Sequence, residues 1–244
     1  MPESIDLEIA RLLKLNAFFL VTAESCTGGL IGDRITNLPG SSDYYLGGVI
    51  TYSNAAKTTL LSVEEAVLQE FGAVSQPTVL AMARGVRQLF ALPAQGRPLI
   101  GLSTSGIAGP GGGTFEKPVG LVWIGLSTPT GDHAWEIRLN GSRMENKAGT
   151  AQQALEKLLE YLSKDAAPQI LRVLTRPDEK NEEIPYRLIW AHHWEDILDV
   201  GRRWRDERGE HWLVITSHSH TARLSRLASG SWEFHLIAPP RQTV

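Results

Sequence analysis

Residues 17–35 read Ala17-Phe18-Phe19-Leu20-Val21-Thr22-Ala23-Glu24-Ser25-Cys26-Thr27-Gly28-Gly29-Leu30-Ile31-Gly32-Asp33-Arg34-Ile35, and this stretch decides the fold. Its opening run is short, aromatic and branched, which predicts a buried strand over 17–23, while apolar positions recur at helical spacing across 28–38. A strand therefore runs straight into a helix. Ser25 or Thr27 can cap that helix, and Gly28-Gly29 removes side chains where a phosphate could approach its free amides and the positive end of its dipole. An ordinary capped helix start fits the same residues.

Working outward, Gly47-Gly48-Val49-Ile50-Thr51-Tyr52 predicts a second strand, and Ser53 or Asn54 then caps a helix beginning near Ala55. Lys57 falls in its first turn. The helix dipole disfavours an ammonium there and burial would lower its pKa further, as a general base at neutral pH requires; a solvated surface lysine is the plainer alternative. A third glycine-rich stretch, residues 101–113, follows the strand-like Leu99-Ile100. It matches neither the GxGxxG nor the P-loop spacing. It fits a tight loop whose backbone approaches a ligand, and equally a glycine-rich surface turn.

Helical patterns at 3–14, 28–38, 57–61, 64–71, 77–89 and 145–162 alternate with strands at 17–23, 47–52, 98–105, 119–128 and 132–139. This predicts an α/β fold, a three-layer α/β/α arrangement on a mixed sheet whose hairpin at Pro129-Thr130-Gly131-Asp132 makes part of it antiparallel. Past Ser163-Lys164-Asp165-Ala166-Ala167-Pro168 the composition shifts: five of the seven tryptophans and six of the seven histidines lie beyond it. The division is therefore 1–164 for the α/β domain and 169–244 for a small C-terminal β-rich domain. Strands are expected there at 169–175, 186–191, 211–217, 221–227 and 232–237, with a polar loop at 176–183. His218 and His220 could join His192, His193 or His211 around a metal, but no cysteine or carboxylate pattern completes a shell, and histidines on a solvated strand face are the simpler account. The run Gly201-Arg202-Arg203-Trp204-Arg205-Asp206-Glu207-Arg208 mixes cations and an aromatic as nucleic-acid surfaces do, yet its acids interrupt the charge.

Composition bounds the function. A formal net charge of -3 gives no electrostatic case for nucleic-acid binding, and 42% hydrophobic with 21% charged residues is near the globular average. A single cysteine, Cys26, suits a reducing compartment, and the absence of a signal pattern or long apolar run gives the expectation of a cytoplasmic protein with no membrane association. The first 165 residues hold one histidine, His133, so a Ser-His-Asp triad lacks a base there and a zinc site lacks ligands. Neither metal nor cofactor is expected. Cys26 at a helix start would be an activated nucleophile, weighed behind serine.

The segments AESCTGG, GSS, TYSNAAK, SGIAGPGGG with EKPVG after it, and NGSR resemble, in order, the C-terminal domain of the CinA (competence/damage-inducible) family. The resemblance covers about residues 1–163. It implies a nicotinamide mononucleotide deamidase that hydrolyses the carboxamide to nicotinate mononucleotide and ammonia. Its functional residues fall on Ser25, Ser42, Tyr52, Lys57 and Arg143. Just beyond Arg143 the family commonly has an apolar residue and an arginine, where this chain has Asn146 and Lys147. In the implied mechanism Ser42 attacks, Lys57 moves the proton and Tyr52 relays it. Ser25, Thr27, Gly28, Gly29, Ser105, Gly106, Gly109 and Arg143 bind substrate, and the 5′-phosphate lies on Arg143 and the helix start. The inverted assignment, in which Ser25 attacks and Ser42 binds, stays open. A homo-oligomer is expected, with a dimer favoured. A binding module for a phosphate ligand or nucleic acid, linked to competence or DNA damage, is the competing class.

Overall fold

β1 (Phe19–Glu24) is buried on both faces, the pattern of an inner strand in a sheet covered from both sides. In the computed structural model, which describes residues 4–16, 18–94, 97–164, 172–190, 193–217 and 221–238, it lies inside a five-stranded sheet. The other strands are β2 (Tyr45–Ile50), β3 (Leu99–Gly106), β4 (Leu121–Thr128) and β5 (Gly131–Arg138), in the order β2-β1-β3-β4-β5. β1 runs parallel to both β2 and β3, and β3-β4-β5 are antiparallel. The sheet is mixed, in an α/β fold.

Two helical layers cover it. α1 (Ile5–Leu15), α2 (Leu30–Thr36) and α6 (Arg143–Lys164) pack with one another, while α3 (Asn54–Leu61) and α4 (Glu65–Phe71) pack on α5 (Gln76–Leu89), which lies on β3 and β4. α5 buries Thr78, Val79, Met82, Ala83, Gly85 and Val86, one apolar stripe at helical spacing. The sheet below is stripped to meet it: a Cβ on Gly101 would come within 2.2 Å of the Ala83 carbonyl oxygen.

Local chemistry sets the boundaries. α2 is shorter than the expected 28–38 because Gly28 and Gly29, at φ +64 and +101, form the turn before it. α3 starts just after Ser53, whose Oγ accepts the Ala56 amide at 3.1 Å. α6 starts at a reciprocal cap, with the Ser142 amide donating to Glu145 Oε2 at 2.7 Å and the Glu145 amide donating to Ser142 Oγ at 3.4 Å.

The chain divides into two compact units, Met1–Asp165 and Ala166–Val244. The second is a separate six-stranded antiparallel sheet of β6 (Arg172–Pro177), β7 (Glu183–Trp190), β8 (His193–Asp206), β9 (Gly209–Thr216), β10 (Thr221–Leu227) and β11 (Trp232–Ala238), neighbouring strands being consecutive in sequence. One face buries Trp212, Val214, Ala222, Leu224 and Phe234. β8 is a correction to the sequence reading, which has no strand there. Register shifts between Ile197 and Asp199 and between Val200 and Arg203 break its alternation. Glu210 accepts hydrogen bonds from Arg203, Arg205 and Arg226, so one carboxylate gathers three of the arginines within this sheet. His211 is buried, its ring nitrogens 2.8 Å from Ser225 Oγ and 2.8 Å from Asp206 Oδ1, a hairpin lock. His192, His218 and His220 lie outside the described residues, and among the described residues no three metal-ligating side chains gather.

Candidate active site

The site forms where β1 and β2 end side by side. Because the two strands are parallel, with Glu24 level with Ile50, the residues after each of them meet at one edge of the sheet. Ser25 follows β1 directly, and its amide donates to the Thr104 carbonyl at 3.0 Å. Lys57, one turn into α3, is 1% exposed; its Nζ donates to Ser25 Oγ at 3.1 Å and to the Thr51 carbonyl at 2.8 Å. Burial holds the Lys57 pKa below the ordinary 10.5, against a smaller upward pull from Cys26. A buried amine with a lowered pKa on a serine hydroxyl is the arrangement of a nucleophile with its base.

The same parallel register corrects the expected pairing of Ser42 with Lys57. Ser42 lies in a single 3-10 turn, Ser41–Asp43, ahead of Tyr45 at the start of β2, whereas Lys57 lies past its end. The length of β2, about 16 Å at 3.3 Å per residue, separates them. Ser42 is exposed, and within one chain Ser25 holds the place on the amine that was expected for Ser42.

A second correction concerns the start of α2. Three of its amides are not free for a phosphate: Glu24 Oε2 accepts the Gly29 amide at 2.8 Å and the Ile31 amide at 3.2 Å, and Glu24 Oε1 accepts the Gly32 amide at 2.9 Å. The chain's own carboxylate, 2% exposed, fills the anion position. Neither Ser25 nor Thr27 caps the helix. Thr27 is buried, its hydroxyl 2.8 Å from that of Thr104. Burial, the main cause, pushes the Cys26 thiol up to about 12, so it carries no thiolate at neutral pH.

Arg143 and Tyr52 form an exposed rim. Arg143 donates to Tyr52 Oη at 2.7 Å and to the Gly109 carbonyl at 2.7 Å, bringing three expected residues together from β2's exit, the 107–120 loop and α6. Tyr52 thus bonds to the arginine, where a relay from Lys57 was expected. Asn146, 1% exposed, holds the loop by donating to the Ala108 carbonyl at 3.1 Å and the Gly141 carbonyl at 2.9 Å. Ser105 is turned away, its hydroxyl donating to the Ala73 carbonyl at 2.7 Å, and Gly106 packs against Val122. Sequence reasoning missed Glu24, Thr104 and Asn146. An acid immediately ahead of a small-residue turn into a helix was the available signal for the first.

A family model described as the CinA C-terminal domain matches residues 2–162. The chain is similar to a CinA-like protein of Geotalea uraniireducens, 46% identical over 160 residues, 66% of this chain and 37% of that protein. A CinA-like protein of Syntrophus aciditrophicus is 46% identical over 169 residues, 68% of this chain and 39% of that protein. The chain thus spans less than two fifths of the length of these curated relatives. Among solved structures it is similar to the competence/damage inducible protein CihA from Agrobacterium tumefaciens, with 37% identity, a TM-score of 0.59, and coverage of 67% of this chain and 98% of that one. A CinA superfamily protein from Klebsiella pneumoniae gives 30% identity, a TM-score of 0.60, and coverage of 65% and 96%.

Proposed function

The chain belongs to the CinA C-terminal domain family, and on that premise we propose that its first unit is an amidohydrolase acting on nicotinamide mononucleotide through Ser25 and Lys57. The observation that carries this reading is the buried Lys57 amine on the Ser25 hydroxyl, 3.1 Å away. With Lys57 neutral, its nitrogen takes the Ser25 proton as the oxygen adds to the carboxamide carbon. The resulting ammonium returns that proton to the departing amine, releasing ammonia and leaving an ester on Ser25. Water, deprotonated by the again neutral Lys57, then cleaves the ester to give nicotinate mononucleotide. Arg143 presents a planar fork to the 5′-phosphate.

Ammonia release from nicotinamide mononucleotide tests this. Ser25→Ala abolishes turnover with binding intact, and Ser42→Ala, at the opposite end of β2, retains it. Turnover in Ser25→Ala together with its loss in Ser42→Ala, both variants folded, overturns the assignment.

A further inference from the structure

We propose that Lys147 is a second phosphate ligand that sets the preference for phosphorylated over dephosphorylated substrate, an inference resting on the mononucleotide reading. With the α2 amides held by Glu24, an anion in this site is left to side-chain cations. Lys147 is placed for this. Its Nζ lies 3.6 Å from the point where a Cβ on Gly28 would stand, so the amine hangs over the bare backbone of the loop that carries Ser25. It is four residues after Arg143 on α6, one turn along the same face, about 6 Å of rise. Two long side chains one turn apart can converge on a single phosphate.

The charges near Lys147 are committed elsewhere. Glu145, the acid in the first turn of α6, is tied to Ser142, and Glu24 is tied to the α2 amides. Arg143 meets two neutral oxygens, those of Tyr52 and Gly109. Among the described residues Lys147 has neither a hydrogen-bond partner nor a carboxylate. Arg143 and Lys147 thus stand one turn apart on α6 without a free counter-charge among the described residues, and a dianionic phosphate supplies one.

The test compares ammonia release from nicotinamide mononucleotide and nicotinamide riboside by the full chain and by Lys147→Ala, Lys147→Glu and Lys147→Arg. Lys147→Ala raises KM for the mononucleotide about tenfold or more, the effect of losing one hydrogen bond to a charged group, and leaves kcat and the riboside's KM unchanged. Lys147→Glu raises it further, and Lys147→Arg restores most of it. An unchanged mononucleotide KM, or equal losses for both substrates, overturns the proposal. If the wild-type chain releases no ammonia, the deamidase reading fails on its own. Inorganic phosphate then remains the probe: a rise in Tm that Lys147→Ala abolishes supports the subsite, and no rise in the wild type overturns it.

Discussion

Lys57→Met separates the chemistry of Lys57 from its structural role. Methionine keeps an unbranched chain of similar volume and removes the charge. The Thr51 carbonyl and Ser25 hydroxyl lose a donor, a cost of about 1–3 kcal/mol each, while the burial penalty that lowers the Lys57 pKa is relieved. The two nearly cancel. Lys57→Ala relieves the same penalty but leaves a cavity, so it falls about 2–5 kcal/mol below the methionine variant. Turnover falls about 10^4-fold in both, since a base is lost, equivalent to about 5 kcal/mol in the barrier. Urea unfolding and ammonia release on the same samples give both numbers. The pH dependence adds a signature. Because the folded pKa is lowered, the unfolded chain binds more protons between that pKa and 10.5, so native stability rises with pH across this window. The rate constant kcat/KM likewise rises through an inflection below 10.5. Both slopes vanish in Lys57→Met. Turnover within tenfold of the wild type, or a methionine variant as unstable as alanine, refutes the reasoning.

Two further outcomes are expected. Cys26, buried with its thiol pushed up to about 12, does not react with a thiol reagent at neutral pH until the chain unfolds; rapid labelling of the native protein would contradict its burial. A chain ending at Lys164 contains every proposed catalytic residue, so it folds and keeps most of the ammonia release, measured beside circular dichroism; a folded but inactive product would assign residues past 165 to the site.

The alternation of strands and helices in the first unit was legible because each element carries its own period, and Ser53 ahead of α3 is a local start signal. The partner of Lys57 was not. Whether Ser25 or Ser42 meets it depends on β2 running parallel to β1, a relation between strands that no window of sequence contains. The reading of the α2 start failed differently. Glycines ahead of a helix suggest an open anion seat, yet Glu24, on the preceding strand, reaches forward to take it. β8 was lost because Gly201 and two register shifts interrupt its alternation just where cations crowd.

The inward-turned Glu24 also bears on how the site meets its ligand. Many phosphate loops stay loose until the anion arrives, and ordering them subtracts from affinity. Here the organising anion is covalently part of the chain, at an effective concentration no buffer can match. The turn from Ser25 to Gly28 is therefore set before any substrate enters, and free sulfate or phosphate gains nothing by competing for the α2 amides. On the proposed reading the Ser25 hydroxyl is in position at first encounter, and little entropy is given up to ordering this turn.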